Sequence, residues 1–97
     1  MRKLLEEKLA RFEEMEKLLL DPEVQVSSAR LSAVAREHGS LAKLSTKYRR
    51  FKQLNDQIRD AAEMAEGPDP EMRQLAEAEL PSLKAEREAY WSELLDL

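Results

Sequence analysis

Cysteine is absent from the sequence, so no disulfide framework and no thiolate metal site is available, and a reducing cytoplasm is the natural compartment. Glycine occurs only at Gly39 and Gly67, far apart, which excludes a glycine-rich phosphate cradle. The one histidine, His38, has no second imidazole beside it. With no H-E-x-x-H pattern, metal chemistry and histidine-driven acid–base chemistry lack their parts. Aromatic residues make up 5% of the chain, too few for a β-sandwich core or an aromatic-lined enzyme cleft. No apolar run is long enough for a signal peptide or a membrane span, and the start, Met1-Arg2-Lys3-Leu4-Leu5-Glu6-Glu7, reaches acidic residues at once. The expectation is a soluble, unprocessed, cytoplasmic chain with no membrane partner, no cofactor, no metal site and no catalytic residue.

What the sequence has in quantity is charge. Charged residues account for 37% of its 97 positions, the composition of long solvated helices in one small domain. The net charge of -4 is unevenly spread. From Val24 to Asn55 there are seven basic residues and one acidic residue, a net +6, whereas the remainder holds nine basic and nineteen acidic residues, a net -10. The basic residues of that stretch are Arg30, Arg36, Lys43, Lys47, Arg49, Arg50 and Lys52, and Glu37 is its lone acid. A concentration of one sign steers a helix toward an oppositely charged partner or pairs with acidic neighbours in the same bundle. The seven cations are the candidate partner-binding residues.

Hydrophobic spacing predicts three helices. Leu5, Leu9, Phe12, Met15 and Leu19 recur at steps of three and four and share one face of a first helix. Asp21-Pro22-Glu23 interrupts it, because the residue before a proline leaves the helical region and Pro22 lacks the N–H that would continue the ladder. Val24 to Ser28 reads as a connector, with Ser27 or Ser28 as N-cap of a second helix running to about Glu66. The seam of that helix is Leu31, Val34, His38 and Leu41, then Leu44, Tyr48, Phe51, Asn55, Ile58, Ala62 and Ala65, with a bend expected near Gly39. At about 1.5 Å per residue it would be on the order of 60 Å long, the scale of a coiled-coil hairpin. Gly67-Pro68 ends it. Asp69 is suited to cap a third helix, with Pro70 in its first turn and Glu71 at the positive end of its dipole. Ala76, Leu80, Leu83, Arg87, Tyr90, Leu94 and Leu97 form its seam, and Pro81 within that run predicts a kink. The fold class expected is all-α, a three-helix antiparallel coiled-coil-like bundle with a long second and third helix, residues 1–97 forming a single domain.

His38 sits on the seam beside Val34 and Leu41, where a lone histidine is ordinarily a packed residue rather than a catalyst. Tyr48 and Phe51 interleave with the cations and so offer a stacking platform for nucleic acid. Their spacing nevertheless fits the seam, which points the rings inward and leaves the cations outside. Tyr90 is likewise a seam residue, with Trp91 shielding it rather than anchoring a partner.

Three segments carry a resemblance to a known family. The run from Asp69 to Leu80 reads D-P-E-M-R-x-L-A-x-x-E-L. Arg30 to Leu41 follows the pattern R-x-x-x-L/V-x-R/K-E-Y/H-x-x-L, and Leu18 to Val24 ends in D-P-E-V. In this order they resemble the N-terminal helical domain of bacterial class I peptide chain release factors, more closely the type that reads UAA and UAG. Pro81 departs from the ordinary helix former usual there. The resemblance implies a role in translation termination as the N-terminal fragment of a longer factor. The codon-reading domain and the Gly-Gly-Gln loop that triggers peptidyl-tRNA hydrolysis would then lie elsewhere. The partners it implies are the ribosome, at the protein and rRNA of the large-subunit stalk base, and the GTPase release factor. The competing reading is a self-contained coiled-coil adaptor or dimerisation protein, and the isolated chain is also a candidate homodimer.

Overall fold

A computed structural model describes residues 1–97. The chain is all-α, with helices α1 (Arg2–Leu19), α2 (Pro22–Gln25), α3 (Ser28–Ala65) and α4 (Pro70–Leu95). The helix α2 replaces the connector expected after Asp21. Its origin is the same device that starts α4. The Asp21 carboxylate accepts from the Glu23 amide at 2.9 Å just as Asp69 accepts from Glu71 at 3.0 Å, with proline at the next position each time. An Asp-Pro-Glu sequence that stops one helix therefore also caps the next. Ser27 caps α3, its hydroxyl accepting from the Arg30 amide at 3.3 Å.

By proximity the chain divides into two compact units, Met1–Thr46 and Lys47–Leu97, and α3 contributes to both. In the first unit α1 buries Leu5, Leu9, Phe12 and Met15, and the one-turn helix α2 adds a fully buried Val24. The Gln25 side chain donates to the Leu19 carbonyl at 3.0 Å, which satisfies an acceptor at the end of α1. Phe12 stacks on His38 with ring centroids 4.4 Å apart. This contact falls seven residues before the end of α1 and ten after the start of α3, comparable distances from the short connection that joins them, as in an antiparallel hairpin. His38 is a packed residue, as its seam position indicated.

In the second unit α4 returns along α3. Lys47 meets Glu93 and Arg50 meets Glu86, partner numbers falling along α4 as they rise along α3, which establishes an antiparallel pair. Tyr48, Phe51, Leu54, Ile58, Ala61, Ala76 and Leu94 are buried between them. Phe51 forms the centre of an aromatic stack, 6.1 Å from Tyr48 and 5.0 Å from Trp91 between centroids. The turn is tight at Gly67, where a Cβ would stand 3.2 Å from the Met64 carbonyl oxygen. A guanidinium N–H of Arg73 donates to the Gly67 carbonyl at 3.1 Å and clips the turn to α4.

The seam differs in detail from the expected one. Ala62 and Leu97 are exposed, while Ala61, Leu54 and Ser45 are buried. Leu31, Leu41, Leu80, Leu83 and Tyr90, expected to be largely buried, are half-buried. The physical reason is the width of the contact. A helix facing one partner buries a stripe broader than a strict coiled-coil line, and the flanks of that stripe stay open to water. The Ser45 hydroxyl is buried without a hydrogen-bond partner.

Both long helices run through their weak points. α3 continues past Gly39, which is exposed and has open space where a Cβ would be, and α4 continues past the exposed Pro81. Proline lacks the N–H that the Glu77 carbonyl would otherwise accept from, and on an exposed face water can take its place. Replacing Pro81 with Ala should therefore stabilise the chain by roughly 1–3 kcal/mol in urea unfolding. An unchanged or lower stability would show that the α3–α4 pair is built around the proline.

Candidate docking surface

The cations of α3 fall into two groups, one in each unit. In the first, Arg30, Arg36 and Lys43 are exposed, and none of their side chains takes part in an ion pair. The acid among them, Glu37, is committed to α1. Both of its carboxylate oxygens accept from the Arg11 guanidinium, one through Nε and the other from Nη2 at 2.9 Å. The same guanidinium also donates to Glu14 at 2.9 Å. The hydrogen bond from Arg11 holds the Glu37 carboxyl below its ordinary value, and the hydrogen bonds to Glu37 and Glu14 push the guanidinium further up. With Glu37 neutralised by Arg11, the three cations stand without a compensating charge on the part of α3 that belongs to this unit.

In the second unit the cations are engaged. Lys47 Nζ lies 2.6 Å from the Glu93 carboxylate and 6.0 Å from the centre of the Tyr90 ring. Arg50 donates twice to one oxygen of Glu86, at 3.3 and 3.1 Å. Lys52 Nζ sits 5.7 Å from the Tyr48 ring centre, within cation–π range, and the half-buried Arg49 also has a partner. The Tyr48 and Phe51 rings are buried, so they are core residues and present no stacking platform to a nucleic acid. Trp91, half-buried, covers Phe51.

The arrangement can attract an anionic surface. No group of three or more His, Asp or Glu side chains is placed to hold a metal ion. No helix is long and apolar enough to cross a membrane.

Residues 8–97 match the family model of the PCRF domain. The chain belongs to that family. This PCRF domain is similar to peptide chain release factor 1 of Streptococcus equi subsp. equi, with 37% identity over 86 residues, covering 87% of this chain and 24% of the relative. It is also 37% identical over 91 residues to peptide chain release factor 1 of Syntrophomonas wolfei, covering 93% and 25%. The corresponding protein of Solidesulfovibrio magneticus is 34% identical over 74 residues, covering 76% and 21%. The chain thus spans about a quarter of the length of the curated relatives it matches. No solved structure matches it. The resemblance to class I release factors carried by the three sequence motifs is borne out by these matches.

The Arg11–Glu37 pair gives the PCRF domain a pH-dependent element. Because the folded-state value of Glu37 is depressed below 4.5, its contribution is fully present above the unfolded value and is lost as pH falls through the folded one. Glu37→Gln should be less stable than the parent near neutral pH, and the gap should close as pH drops below the carboxylate range. Glu14 shares the Arg11 guanidinium, so the comparison is made with Glu14→Gln in both proteins to isolate Glu37. A gap independent of pH in urea unfolding would contradict the pairing.

Proposed function

We propose that this chain is the N-terminal helical domain of a class I peptide chain release factor and that its part in translation termination is docking and orientation rather than chemistry. The observation that carries the reading is the PCRF-domain match across residues 8–97, together with relatives named as peptide chain release factor 1. Codon reading and the trigger of peptidyl-tRNA hydrolysis belong, in this reading, to the remaining three quarters of such a factor. The two glycines of the chain are not adjacent, so a Gly-Gly-Gln loop is not among these residues.

The partner is the large ribosomal subunit at the base of its stalk, both rRNA and protein, with the GTPase release factor as a second, transient one. Among the seven cations first considered, Arg30, Arg36 and Lys43 are the contact residues of choice. Exposed and uncompensated, they keep their field for a phosphate or an acidic surface, whereas Lys47 and Arg50 already neutralise Glu93 and Glu86. Contacts of this kind are weak and fall with salt as counterions compete.

The test is sedimentation of the 97-residue chain with large subunits, comparing the parent with a variant carrying Arg30→Glu, Arg36→Glu and Lys43→Glu. Binding should weaken by roughly tenfold or more in the variant, and added salt should weaken the parent more than the variant. Equal binding by the two would remove these residues as the contact. Peptidyl-tRNA hydrolysis by the chain alone would overturn the assignment of chemistry to the rest of the factor.

A further inference from the structure

The end of the α3–α4 hairpin has a surface unlike the basic stretch. Met64 on α3 and Met72 on α4 line one cleft of about 470 Å³ together with Asp60, Glu63, Gly67 and Pro68. Met64 and Met72 are 41% and 39% exposed. Leu75, 62% exposed, stands one turn after Met72 on the same helix face and lines a second shallow groove with Glu71, Gln74 and Ala78. The result is an uncovered apolar strip running from the turn onto α4.

A carboxylate rim surrounds the strip. Residues 56–79 hold eight acidic and two basic side chains, a net -6, and both bases are already engaged. Arg59 is held by Asp56 and Asp60 at 3.3 and 3.6 Å, while Arg73 donates to the Gly67 carbonyl. Glu63, Glu66, Glu71, Glu77 and Glu79 are exposed and form no ion pair. The turn beneath is fixed by the Asp69 cap, the Arg73 clip and the tight approach at Gly67.

We propose that this end of the hairpin is a docking site for a basic amphipathic protein segment, whose apolar side chains seat on Met64, Met72 and Leu75 while its Lys and Arg side chains pair with the surrounding carboxylates. Charge decides the class of partner. A nucleic acid is repelled by a surface of net -6, whereas a basic helix gains on both counts. Unbranched, polarizable methionine side chains adapt to apolar anchors of varied shape, and a helix laid in a groove offers such anchors at successive turns. The proposal rests on the hairpin's own surface and does not depend on the ribosomal reading.

The experiment uses the 97-residue chain labelled with ¹⁵N and two synthetic probes of identical Lys and Leu content. In one the leucines form a single helix face, and in the other they are scattered. The amphipathic probe should shift amides within residues 60–78, and its affinity should fall by about tenfold or more in Met64→Gln/Met72→Gln and for the scattered probe, as loss of apolar burial requires. Both positions are exposed, and unchanged helix content in the variant confirms that it folds. Equal binding of the two probes, insensitivity to the methionine variant, or shifts centred elsewhere would overturn the proposal. Shifts of the same amides by an RNA hairpin, or by raising protein concentration without a probe, would also overturn it, by naming an RNA or a second copy as the occupant.

Discussion

An amphipathic helix of 38 residues owes most of its stability in water to covering its apolar stripe, since propensity alone is marginal, and α3 has to meet that demand along its whole length. It does so separately in each compact unit. In residues 1–46, α1 supplies Leu5, Leu9, Phe12 and Met15, with Val24 of α2 closing the end. In residues 47–97, α4 supplies Ala76, Leu94 and Trp91 against Tyr48, Phe51, Leu54 and Ile58. The chain reverses before each new long helix at an Asp-Pro-Glu capping sequence, preceded in one case by Gly67-Pro68. The short turns, the caps and the antiparallel pairing all follow from the need to bring a covering helix back along α3.

The same pairing decides which charges the molecule shows. Exposed or half-exposed ion pairs such as Lys47–Glu93 and Arg50–Glu86 add little to stability, and their importance lies elsewhere. By neutralising two cations of the second unit they remove those positions from the field a partner would meet. Arg11 does the converse in the first unit. It occupies Glu37, the one acid of the basic stretch, and thereby leaves Arg30, Arg36 and Lys43 unopposed. The sequence reads as one basic segment, whereas the folded chain divides it into an open group and an engaged group. At the turn of the hairpin the sign reverses, and exposed methionines take the place of exposed cations.

The helices were legible because the signals for them are local. Spacing of apolar residues, Ser27 as a cap, Gly67-Pro68 as a stop and Asp69-Pro70-Glu71 as a start place α3 and α4 to within a residue or two of their observed ends. The helix α2 is hidden in the sequence because Asp21-Pro22-Glu23 both ends α1 and caps a helix of only one turn, too short to show an apolar period. Leu54 and Ala61 lie outside the expected seam because a strict three–four line is narrower than the face a single partner covers, and Ala62 is exposed because after Ile58 the buried face follows a step of three, to Ala61, rather than four. The engaged state of Lys47 and Arg50 was beyond reach for another reason. Their acids are 46 and 36 positions away, and only the register of the folded hairpin makes them neighbours. Met72 and Leu75 stand in the Asp69–Leu80 motif and Met64 outside it, but no spacing rule marks the three as exposed, and their significance appears only once the core they do not join is known.

The division of the α3 cations into an open and an engaged group is the claim on which the proposed docking role of this PCRF domain turns. The most direct measurement is lysine acylation followed by mass spectrometry, with the exposed Lys84 as internal standard. The account predicts that Lys43 reacts at the rate of Lys84, that Lys47 reacts severalfold more slowly, and that Glu93→Gln restores Lys47 toward the rate of Lys43. Equal rates for Lys43 and Lys47, unchanged by Glu93→Gln, would contradict it.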